Sequence, residues 1–314
     1  EVNGRVWASP VVANFRGDAA LEIVVASRDQ IYMLDAKGQA LSGFPVTWED
    51  EIRSLAAGDV DGDGQLDIVA APAHSGPTDV MNAWHADGSA VAGFPPNAKG
   101  ISGCEADEKC YIAGCYDQNA AVGDLDGDGK QDIVVPHDNA YISIHKGTGE
   151  AFDANPEFKP AKTPGVRYLH DLPLAIQGYA DDEESALQAH FTNTAPAIAD
   201  IDGDGVYDVV FTGSVQNASQ TDRFKGVGLW AVHSDAGRIP GWEEPFHAPD
   251  YVAGLWDPGD NIVGITNQVS IADIDASHPG AEMVFVGFDA RIHAVAADRT
   301  QLWQVGYASS DDVF

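Results

Sequence analysis

Basic residues are scarce: 17 Lys and Arg stand against 49 Asp and Glu, a net charge of -32 over 314 residues. Such an excess repels phosphate backbones, which excludes nucleic acid as a partner and favours solubility and tolerance of salt. No apolar run approaches the roughly 18 residues of a membrane span, and Glu1 opens no signal peptide. The sequence therefore reads as a soluble chain, already processed or excised, that can still be exported. Cysteine is nearly missing too. Its three copies, Cys104, Cys110 and Cys115, are spaced unlike paired CxxC zinc ligands, and no His lies among them. A disulfide across that segment is the expectation, which suits an oxidising compartment and leaves one thiol free, for a partner chain, or for a residue beyond this sequence. There is no Walker A loop, no HExxH and no GxSxG elbow, so no motif assigns an enzyme class.

What the sequence does have is Asp-x-Asp-Gly-Asp-Gly-x-x-Asp, three times: Asp59 to Asp67, Asp124 to Asp132 and Asp200 to Asp208. Carboxylates at loop positions 1, 3, 5 and 9, with glycines at 4 and 6, let a short backbone curl around a hard cation that takes six to eight oxygens. Calcium is the guest this chemistry favours. An ordinary Asp/Gly turn is the plainer alternative. It fails because four carboxylates within nine residues repel one another unless a cation sits between them.

The loop is not an EF-hand, since position 12 is Ala70, Val135 or Phe211 where a bidentate Glu is needed. The runs that follow, LDIVAA (66–71), QDIVVP (131–136) and YDVVFT (207–212), are short and β-branched and predict buried strands. Each loop thus joins two strands. Two weaker copies extend the series. In 9–26, Asn14, Asp18 and Glu22 keep positions 1, 5 and 9, but Arg16 holds position 3 and is expected to neutralise that loop by an internal salt bridge in place of metal. In 270–287, Asp273 and Asp275 remain, the glycines are lost and Glu282 comes one residue late, which leaves a candidate fourth site. Downstream of each loop comes a hairpin signal, and Gly43-Phe44-Pro45 and Gly93-Phe94-Pro95 follow the first two, with Pro240-Gly241-Trp242 as an echo.

The stretches AAGDVDGDGQLDIV (56–69), AVGDLDGDGKQDIV (121–134) and AIADIDGDGVYDVV (197–210) resemble FG-GAP repeats, the β-propeller repeats of integrin α-subunits and many bacterial surface proteins. The resemblance spans nearly the whole chain. It implies an all-β fold, a β-propeller of four-stranded blades, with five units visible at about 1–46, 47–96, 97–152, 153–242 and 243–305. Residues 306–314 then start a further repeat. The family commonly closes with seven blades, which makes the chain a single propeller or a fragment of one whose missing blades come from elsewhere. Carried over by position, the calcium ligands are Asp59, Asp61, Asp63 and Asp67; Asp124, Asp126, Asp128 and Asp132; and Asp200, Asp202, Asp204 and Asp208. Backbone carbonyls of Gln65, Lys130 and Val206 serve position 7. Three Ca2+ sites are expected.

Calcium modules with affinities of about 10⁻⁴ to 10⁻³ M fill only outside the cytosol, so the expected location is extracellular or at the cell surface. The expected role is a noncatalytic module that binds a protein or glycan through its inter-blade segments at 97–118, 153–193 and 243–268. Trp242, Phe246, His247, Tyr251 and Trp256 in or beside the third could stack on sugar, although packing is the commoner fate of such side chains. One alternative is a polysaccharide lyase similar to the rhamnogalacturonan lyases. Against it, no Lys/Arg cluster marks a uronate site. Another is a structural subunit of a larger surface assembly. His85, His145 and His233 fall at matching places, which the repeat itself explains, so no shared metal site is expected. His170 with Asp171, and the acidic run 181–184, read as solvated loop. Asn217-Ala218-Ser219 fits a glycosylation sequon.

Overall fold

The computed structural model describes residues 4–48, 51–72, 81–96, 119–136, 141–153, 155–157, 166–168, 188–191, 194–216, 224–250 and 268–306. Among them every regular element is a strand, and the strands pair antiparallel. The first sheet runs β1 (Val11–Ala13), β2 (Glu22–Ser27), β3 (Gln30–Leu34), β4 (Val46–Thr47). The second holds β5 (Ile52–Gly58), β6 (Asp67–Pro72) and β7 (Asn82–Trp84). Its expected fourth strand would come after Pro95, where residues 97–118 lie outside the described ones. The third holds β8 (Ala121–Gly123), β9 (Asp132–Pro136), β10 (Tyr141–His145) and β11 (Val166–Tyr168).

The fourth sheet departs from four strands. β12 (Gln188–His190) and β13 (Ala197–Ala199) both pair β14 (Asp208–Gln216), which is followed by β15 (Phe224–Val232) and β16 (Phe246–Ala248). At nine residues β14 is long enough to carry both partners, so this sheet has five strands. The fifth sheet returns to four: β17 (Ser270–Ala272), β18 (Glu282–Val286), β19 (Arg291–Val295) and β20 (Gln301–Gly306). The outer strands β11 and β16 lie past 152 and 242, and the connection from β10 to β11 is longer than that from β3 to β4. The chain divides into two compact units, one built from the first three sheets and one from the last two, with the division at β11.

Period-two alternation explains how a sheet serves two neighbours. Every residue of β6 is buried. Ile68 and Ala70 pack with Val24, Met33 and Trp48 of the first sheet. Val69 and Ala71 face the other way and pack with Ile133 and Val135 of the third. Trp48 and Trp84 meet edge to face with centroids 5.8 Å apart. In the second unit, Val210, Leu229 and Trp242 join Met283 and Phe285 in a core of the same kind. The opposite face of the fourth sheet buries Phe191 edge-on to Phe211 and Trp230, at 5.0 and 5.3 Å.

The Gly-Phe-Pro landmarks form joints between sheets. A Cβ on Gly43 would stand 1.9 Å from the Asp87 carbonyl oxygen, and one on Gly88 would stand 2.3 Å from that of Gly43. Gly93 meets Thr148 and Gly149 in the same way. All four have positive φ, so only glycine combines this backbone with this approach. Two further bonds reach the following hairpin: Arg16 Nη2 donates to Ala86 O at 3.3 Å, and Trp242 Nε1 donates to Ala297 O at 2.7 Å.

The expected salt bridge within the first loop is not formed. Arg16 donates to Ser42 O and Ala86 O instead, both outside its loop. Backbone amides satisfy the loop: Gly17 donates to Asn14, Ala20 to Asp18 and Phe15 to Glu22. With its own carboxylates and amide already engaged by the backbone, the loop leaves the guanidinium free to tie two sheets together.

Candidate metal centres

Loops 2, 3 and 4, at 59–67, 124–132 and 200–208, share one backbone conformation. Their glycines at positions 4 and 6 have φ of 77 and 87, 73 and 86, and 77 and 88 degrees, a region closed to most side chains. The residue at position 2, Val60, Leu125 or Ile201, is buried and pins the loop to the core. Its N–H donates to the position-9 carboxylate, at 3.1, 2.8 and 2.9 Å. The position-6 N–H donates to Oδ2 at position 1, from Gly64, Gly129 and Gly205. The position-5 N–H donates to Oδ1 at position 3, and the position-7 N–H to Oδ1 at position 5.

Amide donors thus shape each loop while sparing Oδ2 at position 3. Asp59, Asp61 and Asp67 bring one oxygen each within 4.8 Å of one another, as do Asp124, Asp126 and Asp132, and Asp200, Asp202 and Asp208. Each cluster could hold a divalent cation. Positions 1, 3 and 9 are gathered in this way. The position-5 carboxylates Asp63, Asp128 and Asp204 sit on the exposed rim, along with the position-7 residues Gln65 and Val206, while Lys130 is half-buried.

The electrostatics of the three clusters favour a positive charge beside the buried carboxylates. Asp67, Asp132 and Asp208 are at most 1 % exposed. Burial, reinforced by Asp126 and Asp128, pushes the Asp132 carboxyl up to about 7. Burial and Asp202 push Asp208 up to about 6, against the opposing pull of the Ile201 amide and His233. Burial also raises Asp67, with Asp61 adding to it. Asp59 Oδ1 is buried without a hydrogen-bond partner. Packed carboxylates with an orphaned oxygen are what a hard cation relieves.

A residue just past the third strand faces each cluster. In the second and fourth sheets it is a histidine: Nδ1 of His85 lies 2.8 Å from Asp67 Oδ1, and that of His233 lies 2.8 Å from Asp208 Oδ1. In the third sheet it is Lys146, not His145. Hairpin bonds fix the alignment, because Gly88 donates back to His85 O, Gly149 to Lys146 O and Ala236 to His233 O. The register expected from the histidines is therefore off by one, and His145 stands with Trp84 and Val232 inside the hairpin. Aligning on the turn glycines Gly88 and Gly149 would have found Lys146.

The remaining candidates separate clearly. Asp275 is turned onto Ser277 and His278, and no cluster of three forms around it or Asp273 among the described residues. Trp242 is buried, Phe246 packs on the core and His247 Nε2 lies 2.6 Å from Lys225 O, so these three serve packing. Tyr251, Trp256, Asn217, the cysteines, His170 with Asp171, and 181–184 lie outside the described residues. A cavity of about 490 Å³ opens against loop 2, lined by Arg16, Ser42, Asp61, Asp63, His85 and Asp87 among others.

Residues 5–70 match the FG-GAP-like repeat and residues 118–150 the FG-GAP repeat. The chain carries repeats of the FG-GAP family. Those two stretches contain loops 2 and 3, and loop 4 repeats their hydrogen bonds outside them. No curated protein sequence matches the chain. Among solved structures, a europium-containing methanol dehydrogenase is similar over 97% of this chain and 52% of its own, with 10% identity and a TM-score of 0.53. That is a likeness of fold, and the fold is that of propeller blades. BBS1N in complex with ARL6DN is similar over 97% of this chain and 70% of that one, at 11% identity and a TM-score of 0.46. The rhamnogalacturonan lyase YesW is similar over 96% and 61%, at 15% identity. Its TM-score is 0.35. Among the described residues, no helix is long and apolar enough to cross a membrane.

Proposed function

We propose that this FG-GAP chain is a calcium-stabilised β-propeller module that works outside the cytosol and binds a protein or glycan without turning it over. One observation carries the calcium reading: three loops that share the same four amide-to-carboxylate hydrogen bonds each bring three carboxylates, one of them buried, within 4.8 Å of one another. Oxygen donors of this hardness favour Ca2+, and the loop's span suits a large, loosely coordinated ion better than Mg2+. The extracellular setting follows from the weak affinity ordinary for such modules. Recognition is assigned to the segments between sheets, since a rigid scaffold commonly carries function on its irregular connections.

The test is a calorimetric calcium titration of protein stripped with EGTA, paired with melting scans. Saturable heat and a rise in Tm are expected, because ligand at 100 times its Kd stabilises by about 2.7 kcal/mol. Absence of both would end the calcium reading. For the binding role, retention on a glycan array or by a partner protein without chemical change is the supporting result. An unsaturated product from pectic polysaccharide would replace it with the lyase alternative.

A further inference from the structure

Lys146 Nζ donates to Asp126 Oδ2 at 2.8 Å. That oxygen is the one the loop's own amides spare: Asp126 Oδ1 takes the Asp128 N–H, as Asp61 Oδ1 takes that of Asp63 and Asp202 Oδ1 that of Asp204. In loops 2 and 4 the facing histidine binds position 9 and leaves Oδ2 of position 3 open. In loop 3 the Gly147 amide takes over the position-9 oxygen, at 3.1 Å, and the lysine reaches position 3. The ammonium also lies 5.1 Å from the Phe152 ring centroid, a second contact that holds it there.

We propose that Lys146 is a tethered counter-cation of the third loop, which competes with the incoming divalent ion for Asp126 Oδ2 and so sets the calcium affinity of that loop. The proposal rests on the calcium reading above. An entering ion must displace the ammonium or share the cluster with it, and either costs affinity. Without the ion, the same ammonium supplies part of the missing charge. Loop 3 is therefore the one of the three clusters whose occupancy this single side chain adjusts.

The experiment isolates loop 3 by Asp61→Asn and Asp202→Asn in the full chain, and measures calcium binding by calorimetry in that parent and in its K146M, K146R and K37M derivatives. Lys37 carries the same charge on a distant turn of the first sheet. K146M should tighten binding roughly tenfold, the scale expected for removing a unit charge a few ångströms from a divalent ion near a protein surface. K146R should stay near the parent, and K37M should shift it by less than about twofold at physiological ionic strength. Metal-free K146M should melt below its parent. If the two Asn substitutions prevent folding, K146M alone in the three-site protein should tighten one of three binding constants. Equal calcium affinity in K146M and its parent would overturn the proposal and leave the calcium reading standing. No binding heat in any variant, the unsubstituted chain included, would overturn both.

Discussion

Gln131 and Asp59 hold each other by two hydrogen bonds: Asp59 N–H donates to Gln131 Oε1, and Gln131 N–H donates to Asp59 O, each at 3.0 Å. Position 8 of the third loop is thereby clamped to position 1 of the second. A Cβ on the neighbouring Gly58 would stand 2.3 Å from the same Gln131 oxygen, so the fit leaves no slack. Gln131→Ala removes the acceptor of a half-buried amide and should lower stability by about 1–2 kcal/mol. Urea unfolding measures this, and a midpoint unchanged within error would show the clamp to be inert.

The pH dependence should reverse with calcium. Asp132 at about 7 and Asp208 at about 6 stand above the unfolded value of 3.8. Between those values the metal-free folded chain holds more protons than the unfolded one, so its stability falls as pH rises. Metal-free protein should therefore gain stability from these groups as pH is lowered from about 8 to about 5. Bound calcium would take the place of those protons, so loaded protein should lose its increment over the same interval. Parallel melting curves with and without calcium would contradict this account.

Loss of one ligand should be readable loop by loop. Asp202→Asn removes a position-3 oxygen from loop 4 and should abolish that loop's share of the calcium-dependent rise in Tm. Asp18→Asn in the first loop should leave the rise intact, because the Asp18 carboxylate caps its own Ala20 amide. Calorimetric stoichiometry should drop by one site in the first variant only.

The hairpin glycines offer a matched pair. Gly38 and Gly88 occupy the same turn position, with φ of 76 and 86 degrees, but a Cβ meets nothing within 4 Å at Gly38 and the Gly43 carbonyl at Gly88. Gly38→Ala should cost about 1 kcal/mol for its backbone alone. Gly88→Ala should cost at least about 2 kcal/mol more, since backbone must move to admit it. Equal losses would mean that the joint between the first two sheets yields freely.

Much of this was legible in the sequence because it is written in local spacing. The loops at 59–67, 124–132 and 200–208 and the β-branched runs after them give the strands, the turn conformation and the clustered aspartates without reference to anything distant. Long-range choices were not legible. Arg16 reads as a neutraliser of its own loop, yet nothing local tells that Ser42 and Ala86 carbonyls lie within its reach. Lys146 was hidden by the neighbouring His145, a more conspicuous residue one place out of register. The extra strand β12 pairs with β14 across an insertion that carries no repeat signal. Gln131 at position 8 stands where the other loops have Leu66 and Tyr207, and its contact is fixed by the adjoining sheet.

Arg16 and Trp242 deliver a hydrogen to corresponding carbonyls, Ala86 O and Ala297 O, each one residue past a hairpin-closing amide. A guanidinium and an indole share neither size nor charge, yet the thirsty oxygen is the same in both places. What these modules hold in common is thus a set of main-chain obligations, and any side chain long enough to discharge one is free to take the post.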